Sequence, residues 1–308
     1  MTQDRYLQVS GARLRYRDDG EGHAVVLIHG WTLNLEMWDP QVSALAGSYR
    51  VVRFDRRGCG LSSGVPGVES DAEDVLALCR HLGITRSAFV GMSRGARVLE
   101  RLTAVAPELI SCLVFDGAPE MRPDGMQTSN DIPIAEYAAI VRTQGVEAFR
   151  QRWAAHPLTR LVTTDPQMHE LLSRMLARYQ GNDLRDVGGG TRGGADGAAG
   201  AAGAAGAVGA AGAAGAAAST GAAAARTQAS AQLAAASTAA SAPRPVPVLI
   251  LNGALDLDTR RRAGAALMLR IPTAEHAIVP HAAHLPNLDN SVAYNEILLR
   301  FLAHAAAV

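Results

Sequence analysis

Cysteine is scarce in this chain: three in 308 residues, Cys59, Cys79 and Cys112, with no CxxC spacing. That excludes a disulfide-built scaffold, and an odd number of separated thiols reads as reduced packing residues, so a cytoplasmic setting is expected. An excess of one charge is also missing. Lys+Arg and Asp+Glu stand at 29 each, which leaves no electrostatic footprint for nucleic acid or an anionic membrane. No run of 18 residues is lipophilic enough to span a bilayer, because alanines inflate the 48% hydrophobic fraction and bury little surface each. The opening Met1-Thr2-Gln3-Asp4-Arg5 has no basic stretch followed by an apolar core, so no secretory signal is expected. Nine histidines occur without HxH or HxxxH pairing, and no metal site is legible. Gly58-Cys59-Gly60 lacks the third glycine of a dinucleotide loop. No cofactor is expected, and no amphipathic seam announces an oligomeric state.

What the chain does have is Gly91-Met92-Ser93-Arg94-Gly95, directly after the apolar run Ala88-Phe89-Val90 and before a helix-patterned segment from Ala96 to about Ala106. Strand, sharp turn and helix form the context in which G-x-S-x-G is a nucleophile elbow. The turn strains the serine backbone and tolerates only small residues two positions to either side, which Gly91 and Gly95 supply. It lifts the Ser93 hydroxyl above the sheet and aims a helix N-terminus at any charge developing beside it. The bland alternative is a glycine-rich turn with an exposed serine; the flanking strand and helix favour the catalytic one.

The rest of the chain alternates strand and helix. Tyr6–Val9 and Leu14–Arg17 read as a hairpin through Ser10-Gly11. Continuous apolar runs, as in parallel strands buried on both faces, follow at Val25–Ile28, Val51–Phe54, Ala88–Val90, Cys112–Phe115, Val248–Leu251 and His276–Val279. Ser70-Asp71-Ala72-Glu73 reads as a capping box opening a helix that Gly83 stops. The alternation predicts an α/β fold with a parallel sheet wrapped by helices.

Between Pro119 and Arg185 only helical patterns remain, centred on Ile134–Val141, Val146–Ala154 and Met168–Tyr179. Such an insertion would lie over the C-terminal edge of the sheet, where open α/β sheets bind ligands, and would act as a cap. From Gly188 to Ala242 the chain is nearly all Gly, Ala, Ser and Thr, with glycine at every third position from Gly197 to Gly215. Each such glycine costs a helix about 1 kcal/mol against alanine, and with little apolar area to bury the tract is expected to be disordered up to Gly221. The expected organisation is core at 1–118, helical cap at 119–187, low-complexity tract at 188–242 and core again at 243–308.

A serine hydroxyl needs a base to take its proton, and the base needs an orienting carboxylate. In the strand-elbow arrangement the order is Ser, Asp/Glu, His. Val248–Leu251 runs into Asn252-Gly253 with Asp256 three residues on, and His284 follows near the C-terminus. Asp116, at the end of the strand after the elbow helix, and Asp258, placed to cap the next helix, compete with Asp256. His281 competes with His284. Asp256 and His284 are preferred because both lie just beyond strand ends on the elbow's edge. Ile28-His29-Gly30-Trp31 ends the first parallel strand, where backbone N–H groups join the one after the nucleophile in an oxyanion hole. The Trp31 and Arg94 amides are assigned to it. His29 is expected to brace that loop; Trp31 and Trp38 either line an acyl pocket or pack.

Taken together, Ile28-His29-Gly30-Trp31, Phe54-Asp55-Arg56-Arg57-Gly58-Cys59-Gly60-Leu61-Ser62-Ser63, Gly91–Gly95, Asn252–Asp256 and His284-Leu285-Pro286 resemble the α/β-hydrolase fold family, in order from about residue 5 to 302. The resemblance implies a mostly parallel eight-stranded sheet with a helical cap and a Ser93, Asp256, His284 triad. Trp31 after His-Gly and the Asp-Arg-Arg-Gly run are similar to the aryl-esterase and cofactor-free haloperoxidase (perhydrolase) branch, from which Thr32 (usually proline) and Arg94 (often methionine) depart. The His-Leu-Pro-Asn ending is equally similar to enol-lactone hydrolases. A serine at the elbow excludes the alkyl-enzyme chemistry of dehalogenases and epoxide hydrolases. The expected activity is cleavage of a small carboxylic ester or lactone through an acyl-enzyme. Perhydrolysis or C–C bond hydrolysis on the same triad, and a non-catalytic small-molecule-binding protein, are the alternatives.

Overall fold

A computed structural model of the chain describes residues 3–119, 132–185 and 245–307. The 188–242 tract and the start of the expected cap, 120–131, lie outside these. Eight strands form one sheet: β1 (Arg5–Val9), β2 (Ala12–Asp19), β3 (Ala24–Ile28), β4 (Arg50–Phe54), β5 (Ser87–Met92), β6 (Ile110–Asp116), β7 (Val248–Gly253) and β8 (Glu275–Val279). Their spatial order is β1-β2-β4-β3-β5-β6-β7-β8. Pairing is antiparallel for β1 with β2 and β2 with β4, and parallel from β4 through β3 to β8. All the strand runs expected from the sequence are present, but β8 lies at the edge of the sheet, and of the run His276–Val279, expected to be buried on both faces, only Val279 is buried.

Helices α1 (Asp39–Leu45), α2 (Val68–His81) and α3 (Arg94–Val105) join the first strands, and α4 (Ile134–Gln144), α5 (Val146–Ala154), α6 (Pro166–Arg178) and α7 (Asn182–Arg185) follow β6. Helix α8 (Asp258–Arg270) connects β7 to β8, and α9 (Pro286–Asp289) and α10 (Ser291–Ala307) close the described chain.

The period of two along each strand divides the core between the two faces. Val25, Leu27, Ala88, Val90 and Met92 join one cluster; Val26, Ile28, Phe89, Leu113 and Phe115 join the other. Because both faces are covered, the central strands tolerate no polar alternation, which explains their unbroken apolar reading.

Two capping assignments need correction. Helix α2 starts at Val68 with Gly67 as its cap, so Ser70 lies inside the first turn, where its hydroxyl donates to Gly67 O at 3.1 Å. No side chain caps this end; Asp71 is instead turned inward, where Arg56 Nη1 donates to its Oδ2 at 2.7 Å. Asp258 is likewise the first residue of α8 rather than its cap, which is Leu257, and it pairs with Arg261 one turn along.

The segment α4–α7 packs on the loops at the C-terminal ends of the strands. Trp153 Nε1 donates to Thr32 Oγ1 at 2.8 Å, and Trp31 Nε1 to Asp183 Oδ2 at 2.6 Å. Arg178 pairs with Glu36. The amides of Val162 and Thr163 donate to Asp289 Oδ1 at 2.6 and 3.1 Å. An aromatic group of Trp31, Tyr137, Phe149, Trp153 and Tyr179 fills the seam.

Candidate active site

The elbow geometry follows from its glycines. Ser93 sits at φ 50, ψ −108, a conformation L-residues avoid and that persists only where the surroundings enforce it. Its amide donates to Asp116 O at 2.7 Å, tying the turn to β6. A Cβ on Gly91 would stand 2.5 Å from Gly95 O, and one on Gly95 would run into Ile28 O. Any larger residue at either position would push α3 off the sheet.

Beyond β7 and β8, two loops pack onto each other at Gly253, where a Cβ would collide with the Ala282 and Ala283 carbonyls. Leu255 N donates to Ala282 O at 2.8 Å and Ala254 N to Val279 O at 2.9 Å. This lacing brings Asp256 and His284 together. His284 Nδ1 lies 3.0 Å from Asp256 Oδ2 and its Nε2 lies 3.3 Å from Ser93 Oγ. Asp256 Oδ1 accepts from the Leu257 amide at 2.7 Å. With Nδ1–H donating to the carboxylate, Nε2 is free to accept from the serine hydroxyl. The His284 and Asp256 side chains are 4% and 0% exposed, so water competes weakly for either. Gly117, at φ 52, leaves room for the ring: a Cβ there would be 3.0 Å from His284 Cε1.

The rival residues are elsewhere engaged. Asp116 is fully buried and accepts from Tyr294 Oη at 3.1 Å; burial first, then the nearby Asp256 charge, push its carboxyl well above the ordinary range despite the Tyr294 bond. Asp258 is an exposed partner of Arg261. His281 is exposed at φ 54 in the turn after β8.

His29 is completely buried: Nδ1 donates to Gly30 O at 2.8 Å and Nε2 accepts from the Arg56 amide at 2.8 Å. Burial, then the Arg56 charge, hold its pKa well below the ordinary imidazole value, so it stays neutral and braces the turn. Arg56 Nε and Nη2 donate to the His29 and Gly30 carbonyls, both at 3.1 Å. In a trans peptide the N–H opposes the C=O. Because Gly30 O faces Arg56, the Trp31 N–H points the other way. Similarly Ser93 O accepts from Ala96 N at 3.0 Å, so the Arg94 N–H points out of the N-terminus of α3.

A profile of the alpha/beta hydrolase fold matches residues 23–291. The chain belongs to the α/β-hydrolase fold family. Among its relatives, the pimeloyl-[acyl-carrier protein] methyl ester esterase of Aliivibrio salmonicida is 33% identical over 101 residues, 33% of this chain and 38% of that protein. A non-heme haloperoxidase of Rhodococcus erythropolis is 38% identical over 98 residues, 30% of this chain and 36% of that one. The chain thus spans well under half the length of either relative. In structure it is similar to the enol-lactonase of Burkholderia xenovorans LB400, with a TM-score of 0.68 and 23% identity over 97% of this chain and 100% of that one.

Against the α/β-hydrolase frame, the residues that sequence reasoning overlooked are the braces. Asp71, Asp183, Glu36 and Asp289 are ordinary acids in sequence, and each acquires its part only through a partner far along the chain. The Asp55-Arg56-Arg57-Gly58 run carried the one available signal: Asp55 accepts from the Leu35 and Leu61 amides, both at 2.8 Å, while Arg56 holds the His29-Gly30 turn. Trp38 is wholly buried packing; Trp31 is half-buried beneath the α4–α7 aromatics. Among the described residues no group of three or more His, Cys, Asp or Glu is placed to hold a metal ion, and no helix is long and apolar enough to cross a membrane.

Proposed function

We propose that this α/β-hydrolase cleaves a small carboxylic ester or lactone through a covalent acyl-serine. One observation carries the reading: Ser93 Oγ, His284 and Asp256 form a hydrogen-bonded relay at 3.3 and 3.0 Å, assembled from three separated loops. Ser93 Oγ attacks the carbonyl carbon as His284 Nε2 takes its proton. Asp256 holds Nδ1–H and stabilises the imidazolium. The carbonyl oxygen, now anionic, is received by the Trp31 and Arg94 amides, whose directions are set by Arg56 and by the first turn of α3. Each donor of this kind is worth on the order of 10²–10³ in rate. Collapse expels the alkoxide with the proton from His284, and water repeats the sequence on the acyl-enzyme, returning Ser93 to its hydroxyl form. The α4–α7 segment serves as the cap that shapes the pocket and limits water. Buried free thiols at Cys59, Cys79 and Cys112 agree with a cytoplasmic setting.

A fluorophosphonate probe is expected to label the folded protein once, at Ser93, and p-nitrophenyl acetate to be turned over. Folded protein that neither labels nor turns over would instead be a small-molecule-binding member of the fold. Similarity to the haloperoxidase supports a second reading, perhydrolysis, in which hydrogen peroxide replaces water at the acyl-enzyme; peracid formed from acetate and peroxide is its test.

A further inference from the structure

The turn that carries His284 is held from two directions by the short helix that follows it. Toward the core, Asn287 Nδ2 donates to Met37 O at 2.8 Å and to Gln41 Oε1 at 3.1 Å. Toward the α4–α7 segment stands Asp289, the last residue of α9, only 8% exposed. Its Oδ2 accepts from the Ala283 amide at 2.8 Å, one residue before the imidazole. Its Oδ1 accepts from the amides of Val162 and Thr163, in the linker that leads into α6. One carboxylate thus grips the base's own turn with one oxygen and the helical segment with the other.

Three backbone N–H groups converge on this side chain, and an ionised acid accepts on both oxygens where an amide side chain accepts on one. The segment's other contacts, Trp153 with Thr32, Arg178 with Glu36 and Asp183 with Trp31, meet residues that follow β3. The Asp289 contact meets the turn that bears the base. Ala282 O accepts from Leu255 N on the opposite side, so this turn is pinned between the Asp256 loop and Asp289. If Val162 and Thr163 withdrew, Oδ1 would lose both its donors, and a carboxylate left short of partners re-forms its bonds elsewhere. The Ala283 amide would then lose its fixed acceptor, one peptide from His284.

We propose that Asp289 is a positioning residue that makes the alignment of His284 with Ser93 depend on the seating of the α4–α7 segment. The base is in register for proton transfer when Val162 and Thr163 are docked, and loses that register when they lift. The coupling rests on the serine-hydrolase reading for what His284 does, but it is measurable without turnover.

The test watches the imidazole itself. In protein carrying ring-15N histidine, the His284 Nδ1–H resonance is assigned by its loss in His284→Gln. The Nδ1–H of His29, bonded to Gly30 O, serves as internal control. Asp289→Asn keeps the shape and one accepting oxygen. Val162→Pro deletes the donor at 2.6 Å and leaves Asp289 and Ala283 in place; the Val162 side chain is 41% exposed. If Val162→Pro does not melt cooperatively, 2-hydroxy-3-methylbutanoate at position 162 removes the same N–H and keeps the side chain. Both changes should speed water exchange at His284 by roughly tenfold or more, as for local opening, with His29 unmoved. Both should lower kcat on the order of 10–100-fold, with the loss in kcat rather than in KM, as for a misplaced catalytic group. A purely structural brace would lower the melting temperature and leave exchange at His284 and kcat of the folded protein as they were. That result would overturn the proposal, as would a response to Asp289→Asn with none to the change at Val162. Wild-type turnover with unmoved exchange would sink the coupling and leave ester hydrolysis standing. Exchange that responds in a protein without turnover would do the reverse.

Discussion

Trp31 and Asp183 lie 152 positions apart and meet through an indole N–H donated to a carboxylate at 2.6 Å. Trp31 is in the turn after β3, beside the proposed oxyanion site, and Asp183 is in the last described helix of the α4–α7 segment. The same carboxylate accepts from Tyr179 Oη, so one acid joins the turn after β3 to the α4–α7 segment.

Removing that acid leaves the half-buried Trp31 indole and the buried Tyr179 hydroxyl unpaired. Asp183→Ala is expected to destabilise the protein by about 1–3 kcal/mol, read as a lower urea midpoint at unchanged m-value. It should also raise KM, because the cover is less firmly seated. A KM and midpoint both equal to wild type would show that the contact does not hold the segment in place.

Gly117 faces the edge of the His284 ring. A methyl group there would approach Cε1 to 3.0 Å at a backbone φ of 52, a region that also penalises alanine. Gly117→Ala should lower kcat on the order of 100-fold, as expected for a misplacement near 1 Å in a catalytic group, while the fold remains cooperative. Unimpaired kcat would show that the ring has slack the structure does not reveal.

Asp256→Asn preserves shape but no longer favours the imidazole tautomer with Nδ1–H. Turnover should fall by about 10³–10⁴, whereas Asp116→Asn, at a buried carboxyl whose pKa burial pushes well above the ordinary range and which lies outside the relay, should change turnover far less. If the two variants lose activity in the opposite order, the acid of the relay has been assigned to the wrong strand.

His29 gives a pH signature. Burial keeps it neutral in the folded protein well below the ordinary pKa of 6.5, while the unfolded chain takes up a proton near that value. The unfolded state therefore binds more protons below pH 6.5, and its contribution to stability, fully present above 6.5, is lost as pH falls. The loss is about 1.4 kcal/mol per pH unit. Urea titrations at pH 7.5 and 5.5 should show a difference that shrinks by roughly this amount in His29→Asn. An equal pH difference in both proteins would assign the acid sensitivity to other groups.

The legible parts were those coded locally. The apolar runs of β3–β7 needed only their own composition, and the elbow needed two glycines at fixed offsets from Ser93. Asp256 and His284 were legible because each follows a strand end, which ties a sequence position to an edge of the sheet. The Ser70 capping box misled for a tertiary reason: Asp71 is drawn inward to Arg56, and α2 begins a turn-fraction earlier at Gly67. Asp258 misled similarly, since Leu257 takes the cap and leaves the carboxylate to Arg261.

By itself the sequence determined where the strands run, where the chain must turn sharply and which residue types arrive at the C-terminal edge, because hydrophobic period and glycine tolerance are properties of short segments. Only the tertiary structure decided which of three aspartates meets His284 and which carbonyls Arg56 restrains. Those outcomes depend on distances between loops far apart in the chain, and burial then fixes which charges survive.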